Sequence, residues 1–217
     1  MPGHPDHTPT QDPRRLVVML PALNEEASIG AVLGRIPETI EGIGQITTLV
    51  VDDGSTDRTV EIARAAGAQV VSHRRNRGVG ATFRTGIAAA LDRGADFIVN
   101  MDSDGQFAPE DIPKLLAPLL DDDADMVTCT RFGKPEFMPE MPGIKRWGNR
   151  MMCHLINRIC WNSDYTDVSC GFRAYSRRTA MRLTLFGDFT YTQETFIDLL
   201  GKGVHIVEVP LKVPLEC

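Results

Sequence analysis

The sequence predicts an α/β fold with a mostly parallel central sheet, and three observations carry that expectation. Short apolar runs alternate with helix-forming segments four times before residue 102, as expected of strands buried on both faces and joined by helical crossovers. The ends of these strands carry polar residues: Asn24 and Glu25, Asp52 and Asp53, Arg74 to Gly78, and Asp102 and Asp104. In an open sheet of this kind, ligands sit outside the carboxyl ends of the strands. The chain of 217 residues, 42 % hydrophobic and 24 % charged, is long enough to bury the core of one large domain.

Residues 1–14 are rich in Pro, His, Asp and Thr, have no apolar period, and read as a disordered tail, which leaves 15–217 as a single domain. Leu16 to Leu20 is a continuous apolar strand, followed by a helix over Ser28 to Arg35. Ile46 to Val51 is a second strand with a helix over Arg58 to Ala66, and Gln69 to Ser72 is a third with a helix over Val79 to Arg93. Phe97 to Met101 is the strand that delivers Asp102 and Asp104. Pro109 opens a helix to Leu120, because proline is tolerated in a first turn, and Met126 to Thr130 is the next strand. The alternation then stops at Arg131 to Pro142, a long loop with three prolines and the character of a lid. Gly143 to Trp161 reads as a helix, Val168 to Tyr175 as a strand, Ser176 to Leu183 and Tyr191 to Lys202 as helices, and Val204 to Val213 as a last strand.

The most informative stretch is Asp102-Ser103-Asp104-Gly105-Gln106. Two carboxylates one residue apart resist joint ionisation unless a cation or hydrogen bonds compensate them, so the pair has two readings: a polar turn, or hard oxygen ligands for a divalent metal. A calcium EF-hand is excluded, since Gly105 falls too early and Pro113 stands where the bidentate glutamate belongs. A Rossmann dinucleotide fingerprint fails as well: Gly78-Val79-Gly80 opens a helix, but it does not follow the first strand, and Phe83 occupies the third glycine position. Five cysteines without a C-x-x-C pair argue against a zinc module and a complete disulfide framework, and fit a reducing cytosol. A net charge of −6 argues against nucleic acid. Residues 131–182 nevertheless carry ten Lys/Arg against four Asp/Glu, a basic block suited to an anionic ligand or membrane surface, or to a solvated face.

Taken in order, Leu20-Pro21-Ala22-Leu23-Asn24-Glu25-Glu26, Val51-Asp52-Asp53-Gly54-Ser55-Thr56-Asp57, Asn76-Arg77-Gly78 and Asp102-Ser103-Asp104-Gly105-Gln106 resemble family-two glycosyltransferases of the GT-A fold. The likeness is strongest to the dolichol-phosphate mannosyltransferase and polyprenyl-phosphate glycosyltransferase branch, and it continues through Cys170 to Tyr175 and Val207 to Leu211. The resemblance implies that Pro21, Ala22, Asn24, Glu25, Asp52, Asp53, Gly78, Asp102 and Ser103 hold a nucleotide sugar. It implies that Asp102, Asp104 and Gln106 surround Mg²⁺ or Mn²⁺, which would neutralise a diphosphate leaving group. It places Arg131, Arg146 and Arg173 at an acceptor phosphate, for which bidentate guanidinium contacts are suited. Arg173 has an alternative in bracing the fold against Asp167. Glu194 is expected beside the acceptor, as a positioning residue first and a base second, because a phosphate with a second pKa of about 6 needs little deprotonation.

The expected activity is therefore inverting transfer of a sugar from GDP-mannose or a UDP-hexose to a polyprenyl or dolichyl phosphate, at the cytoplasmic face of a membrane. Relatives continue past Val209-Pro210-Leu211 with a basic segment and often with membrane helices, so the expectation is either that this sequence is a truncated piece of a longer chain or that the acceptor side is incomplete. The helix from Gly143 mixes Trp147, Met151 and Leu155 with Arg146, Arg150 and Arg158, and is expected either to lie on a membrane or to pack on the sheet. Two other functions stay open: transfer to a glycan or small polar acceptor, and nucleotide-sugar binding with little turnover.

Overall fold

The computed structural model describes residues 13–133, 137, 143–159, 163–188 and 190–212. Most of the expected tail, most of the expected lid and the last residues of the chain lie outside these. β1 (Arg15–Ala22), β2 (Gln45–Asp52), β3 (Gln69–Ser72), β4 (Phe97–Asn100), β5 (Met126–Thr130), β6 (Arg173–Ser176) and β7 (Ile206–Pro210) form one sheet in the order β3-β2-β1-β4-β6-β5-β7. All neighbouring strands are parallel except β6, which runs antiparallel to both β4 and β5.

Alternation along β1 explains the layered core. Leu16, Val18 and Leu20 face one apolar cluster, against α1 (Ile29–Leu33), α2 (Thr59–Ala65) and α4 (Ile112–Leu120). Val17 and Met19 face the other, with Phe83 and Ile87 of α3 (Val79–Asp92), Ile156 of α5 (Gly143–Ile159) and Phe196 of α7 (Thr192–Gly201). Covering both faces is what makes an apolar run such as Leu16 to Leu20 possible. A short 3₁₀ turn with Pro109 at its start leads into α4, and α6 (Arg177–Ala180) is capped by the Ser176 hydroxyl, which accepts from the Thr179 N–H.

The chain winds from β1 outwards to β3 and then returns to place β4 on the other side of β1, so the order reverses between β1 and β4. Residue Ala22 is level with Asp52, and Met19 is level with Asn100. The segments after β1, β2 and β4 therefore emerge together at one edge, at the switch point where doubly wound sheets open a crevice.

The strand expected over Val168 to Tyr175 begins only at Arg173. The residues before it make polar contacts instead. Asp167, fully buried, receives the Arg131 guanidinium at 2.7 and 3.0 Å, and Arg131 also reaches the Ser169 hydroxyl at 2.9 Å. Glu208 of β7 accepts from the N–H groups of Thr166 and Asp167. This network ties the ends of β5 and β7 to the approach to β6.

Removing one partner of a buried ion pair leaves the other uncompensated. Asp167→Ala is therefore expected to lower unfolding free energy by about 3 kcal/mol, read from the urea midpoint, with Asp167→Ala/Arg131→Leu recovering part of the loss.

Candidate functional site

At the switch point lies a cleft of about 280 Å³. One wall is the segment after β1, with Pro21, Ala22 and Glu25. Asp53 and Gly78 form the opposite side, and Asp102, Ser103 and Asp104 lie at the end of β4. Seven of the nine residues expected at a nucleotide sugar thus meet in one place, although they come from four separate segments of chain.

The edge is built by side chains that close loops. Ser103 donates its hydroxyl to the Pro21 carbonyl at 2.7 Å, folding the carboxylate turn across the end of β1. Asp53, almost fully buried, accepts from the N–H groups of Arg77 and Gly78, each at 2.9 Å, and from His73 Nδ1 at 2.7 Å. It thereby fixes the loop that forms the far wall. Asn24 and Asp52 act in the same way without lining the cleft. Asn24 Oδ1 accepts from the Thr56 N–H, and Asp52 Oδ1 accepts from the Ser55 N–H. Asn24 has φ +55°, a left-handed conformation that asparagine tolerates better than most residues.

Asp102 and Asp104 are differently placed. The Gln106 N–H donates to Asp104 Oδ1 at 3.0 Å, which satisfies one oxygen of an exposed carboxylate. Asp102 is pushed up to about 6 by burial and then by the charge of Asp104, with Arg131 and Arg173 pulling the other way. The pair is thus short of positive charge. Among the described residues no cluster of three His, Cys, Asp or Glu side chains surrounds a point. Two carboxylates suit a small hard cation that takes its remaining ligands from substrate oxygens and water, so the residues fit Mg²⁺ or Mn²⁺.

Several expected residues sit elsewhere. The Gln106 side chain is not among the groups lining the cleft. Arg173, expected at the acceptor phosphate or paired with Asp167, does neither. Its guanidinium is fully buried, donates to the carbonyls of Thr192 and Val168 at 2.8 and 3.0 Å, and lies 4.9 Å from the Phe196 ring centre. It acts on the site as a buried cation whose charge favours the ionised form of Asp102. Glu194 accepts from the N–H groups of Phe186 and Gly187 with both carboxylate oxygens, so it holds a loop and is not poised as a base. That loop packs on the start of α3, where the Gly80 N–H donates to the Asp188 carbonyl at 2.9 Å. A side chain on Gly78, which has φ +90°, would meet the same carbonyl at 2.6 Å. Arg146 lines a second cavity that shares no residue with the first.

Sequence reasoning left out Leu23, Asn76, Val79 and Thr82, all of which line the cleft. Asn76 belongs to the Asn76-Arg77-Gly78 motif, whereas Thr82 is one turn into a helix and carries no sequence signal. It also left out Tyr191, whose hydroxyl accepts from Asn100 Nδ2 at 2.8 Å and whose ring stacks on Phe83 at 4.1 Å.

An open, mostly parallel sheet with a nucleotide-sized crevice at its switch point and an acidic pair ending the central strand defines a GT-A glycosyltransferase. Glucosyl-3-phosphoglycerate synthase from Mycobacterium tuberculosis, solved with Mn²⁺, UDP and phosphoglyceric acid, superposes with a TM-score of 0.71 at 26 % identity, over 92 % of this chain and 69 % of that one. The sequence profile of glycosyl transferase family 2 matches residues 17–184, and the chain belongs to that family. It is 30 % identical to polyprenol monophosphomannose synthase of Mycolicibacterium smegmatis, over 97 % of this chain and 84 % of the relative. It is 31 % identical to undecaprenyl-phosphate mannosyltransferase of Micrococcus luteus, over 91 % and 82 %.

Gly171 offers a direct probe of the acidic pair. A Cβ there would stand 2.8 and 2.9 Å from the two Asp102 oxygens and 3.0 Å from the Tyr191 hydroxyl. Gly171→Ala is expected to weaken Mn²⁺-supported nucleoside-diphosphate binding by about tenfold or more in calorimetry, at a stability cost of about 1–3 kcal/mol.

Proposed function

We propose that this chain transfers a hexose from GDP-mannose or a UDP-hexose to a polyprenyl or dolichyl phosphate, with inversion at the anomeric carbon. The observation that carries the reading is the Asp102–Asp104 pair, short of positive charge and set at the floor of the cleft with Arg131 close enough to act on Asp102. The names of the family relatives, which act on polyprenol and undecaprenyl phosphates, supply the acceptor class.

In this reading the nucleoside lies between the Pro21–Glu25 wall and the Asn76–Val79 wall, held by backbone groups whose positions Asn24, Asp52 and Asp53 fix. Asp102 and Asp104 would hold Mg²⁺ or Mn²⁺, which would supply charge neutralisation for the departing diphosphate. The acceptor phosphate approaches from the side of Arg131, whose guanidinium is kept in place by Asp167 and Ser169. A phosphate monoester is already largely a dianion at neutral pH, so its oxygen attacks without a dedicated base. Glu194 serves as a positioning residue through the Phe186–Gly187 turn.

The lipid acceptor brings the protein to a membrane surface. Among the described residues no helix is long and apolar enough to cross a bilayer. Ile144, Trp147, Met151 and Leu155 instead form one exposed apolar line along α5, with Ile144 78 % and Trp147 61 % exposed. Such a line, beside Arg150 and Arg158, suits a helix lying in the interface at the cytoplasmic face.

A second reading is favoured by one observation: the structural neighbour was solved with phosphoglyceric acid, a small polar phosphorylated acceptor. An assay with Mn²⁺, a panel of nucleotide sugars, and either polyprenyl phosphate or 3-phosphoglycerate separates the two. Nucleoside diphosphate release with appearance of a lipid-linked sugar is the expected result. Release only with 3-phosphoglycerate would replace the lipid acceptor, and binding without release from any pairing would refute transfer.

A further inference from the structure

One buried side chain stands behind the donor cleft without lining it. His73 follows β3, its side chain is 6 % exposed, and it is not among the residues of the cleft wall. Its Nδ1 lies 2.7 Å from Asp53 Oδ1, and its Nε2 lies 2.9 Å from the Thr85 hydroxyl in α3. A carboxylate accepts, so Nδ1 carries the hydrogen of the first contact, while the hydroxyl can donate to Nε2 or accept from it. The His73 backbone N–H donates to the Asp52 carbonyl at 2.9 Å. One residue thus joins the end of β2, the loop after β3 and the body of α3.

The consequence falls on Asp53, which does line the cleft. Its Oδ1 accepts from His73 and from the Arg77 N–H, and its Oδ2 accepts from the Gly78 N–H. A carboxylate oxygen has two lone pairs, so Oδ1 is filled and the group cannot turn without losing a bond. The loop it holds has little slack. A Cβ on Gly54, which has φ +84°, would stand 2.7 Å from the Arg75 carbonyl carbon, so residues 75–76 lie directly on the turn that follows Asp53. Within that loop, Asn76 Oδ1 accepts from the Gly78 N–H at 2.9 Å. β1 separates β2 from β4 in the sheet, which sets Asp53 two strand spacings, about 10 Å, from Asp102. His73 therefore bears on the end of the cleft away from the acidic pair.

We propose that His73 is a positioning residue for the nucleoside end of the donor. Through its hydrogen bond to Asp53 it sets the wall formed by Asp53, Asn76, Gly78 and Val79 before a nucleotide arrives, which spares binding the cost of ordering that wall. The alternative is a histidine that only fills space beside α3, and the two differ in what the Nδ1 hydrogen does. The inference rests on the nucleotide-sugar reading of the cleft, and adds to it a residue from outside the cleft wall.

The test is calorimetry of UDP and GDP with Mn²⁺ on the whole chain carrying His73→Asn, His73→Gln or His73→Leu, each assayed well below its melting temperature. Asparagine places an amide donor where Nδ1 stands and gives up the Thr85 contact, whereas glutamine reaches towards Thr85 and leaves Asp53 Oδ1 short of a donor. His73→Asn is expected to keep most of the wild-type affinity. His73→Gln and His73→Leu should each weaken both nucleotides by about tenfold, the effect of losing one hydrogen bond to a carboxylate. The asparagine and glutamine variants differ by one methylene, and they decide the matter even if His73→Leu does not fold. Equal affinities in those two, or a larger loss in His73→Asn, would overturn the proposal, because the Nδ1 hydrogen would then have no part in binding. So would wild-type affinity in His73→Leu. A wild type that binds neither UDP nor GDP would instead remove the nucleotide-sugar reading, and this inference with it.

Discussion

Two like charges one residue apart, at the end of a strand buried on both faces, are the constraint around which this molecule is arranged. Asp102 cannot retreat into solvent, because β4 is fully buried and Ser103 is tied to the Pro21 carbonyl. It cannot share a proton-rich neighbourhood either, since Asp104 repels it and Tyr191 offers only a neutral hydroxyl nearby. Burial raises the cost of its ionisation, and the fold offsets that cost only in part, through the charges of Arg131 and Arg173. A site left electrostatically incomplete in this way favours binding of the partner that completes it, a cation together with the anion the cation carries.

The rest of the edge supports that arrangement by hydrogen bonding carboxylates rather than leaving them exposed. Asp53 accepts from two N–H groups and a histidine, Asp52 from one N–H, and Glu194 from two. These residues all looked like ligands in the sequence, and most of them are loop closures. The distinction matters chemically, because a carboxylate saturated by backbone donors has little affinity left for a metal, and the proposed metal role falls to Asp102 and Asp104 instead.

The strands were legible because burial on both faces demands continuous apolar runs, and Gln69 to Ser72 and Met126 to Thr130 appear with the bounds read from the sequence. The cleft was largely legible for a related reason: strand ends converge at a switch point once the winding order is known. Three features were not legible, each because it depends on contacts distant in sequence. The insertion of β6 between β4 and β5 is decided by packing across the sheet. The pairing of Arg131 with Asp167, rather than Arg173 with Asp167, depends on which guanidinium emerges at the edge and which is sealed under Phe196. Val168 to Phe172 is apolar enough for a strand but is drawn out of the ladder by the polar network before it.

The central claim is that the Asp102–Asp104 pair makes nucleotide binding depend on a divalent cation. The most direct measurement is titration calorimetry of UDP and GDP into the wild type and Asp104→Asn, in Mn²⁺ and in EDTA. The account predicts tight binding only for the wild type in Mn²⁺, with Asp104→Asn close to the EDTA value at an unchanged melting temperature. Equal affinity of the wild type in Mn²⁺ and in EDTA would contradict it.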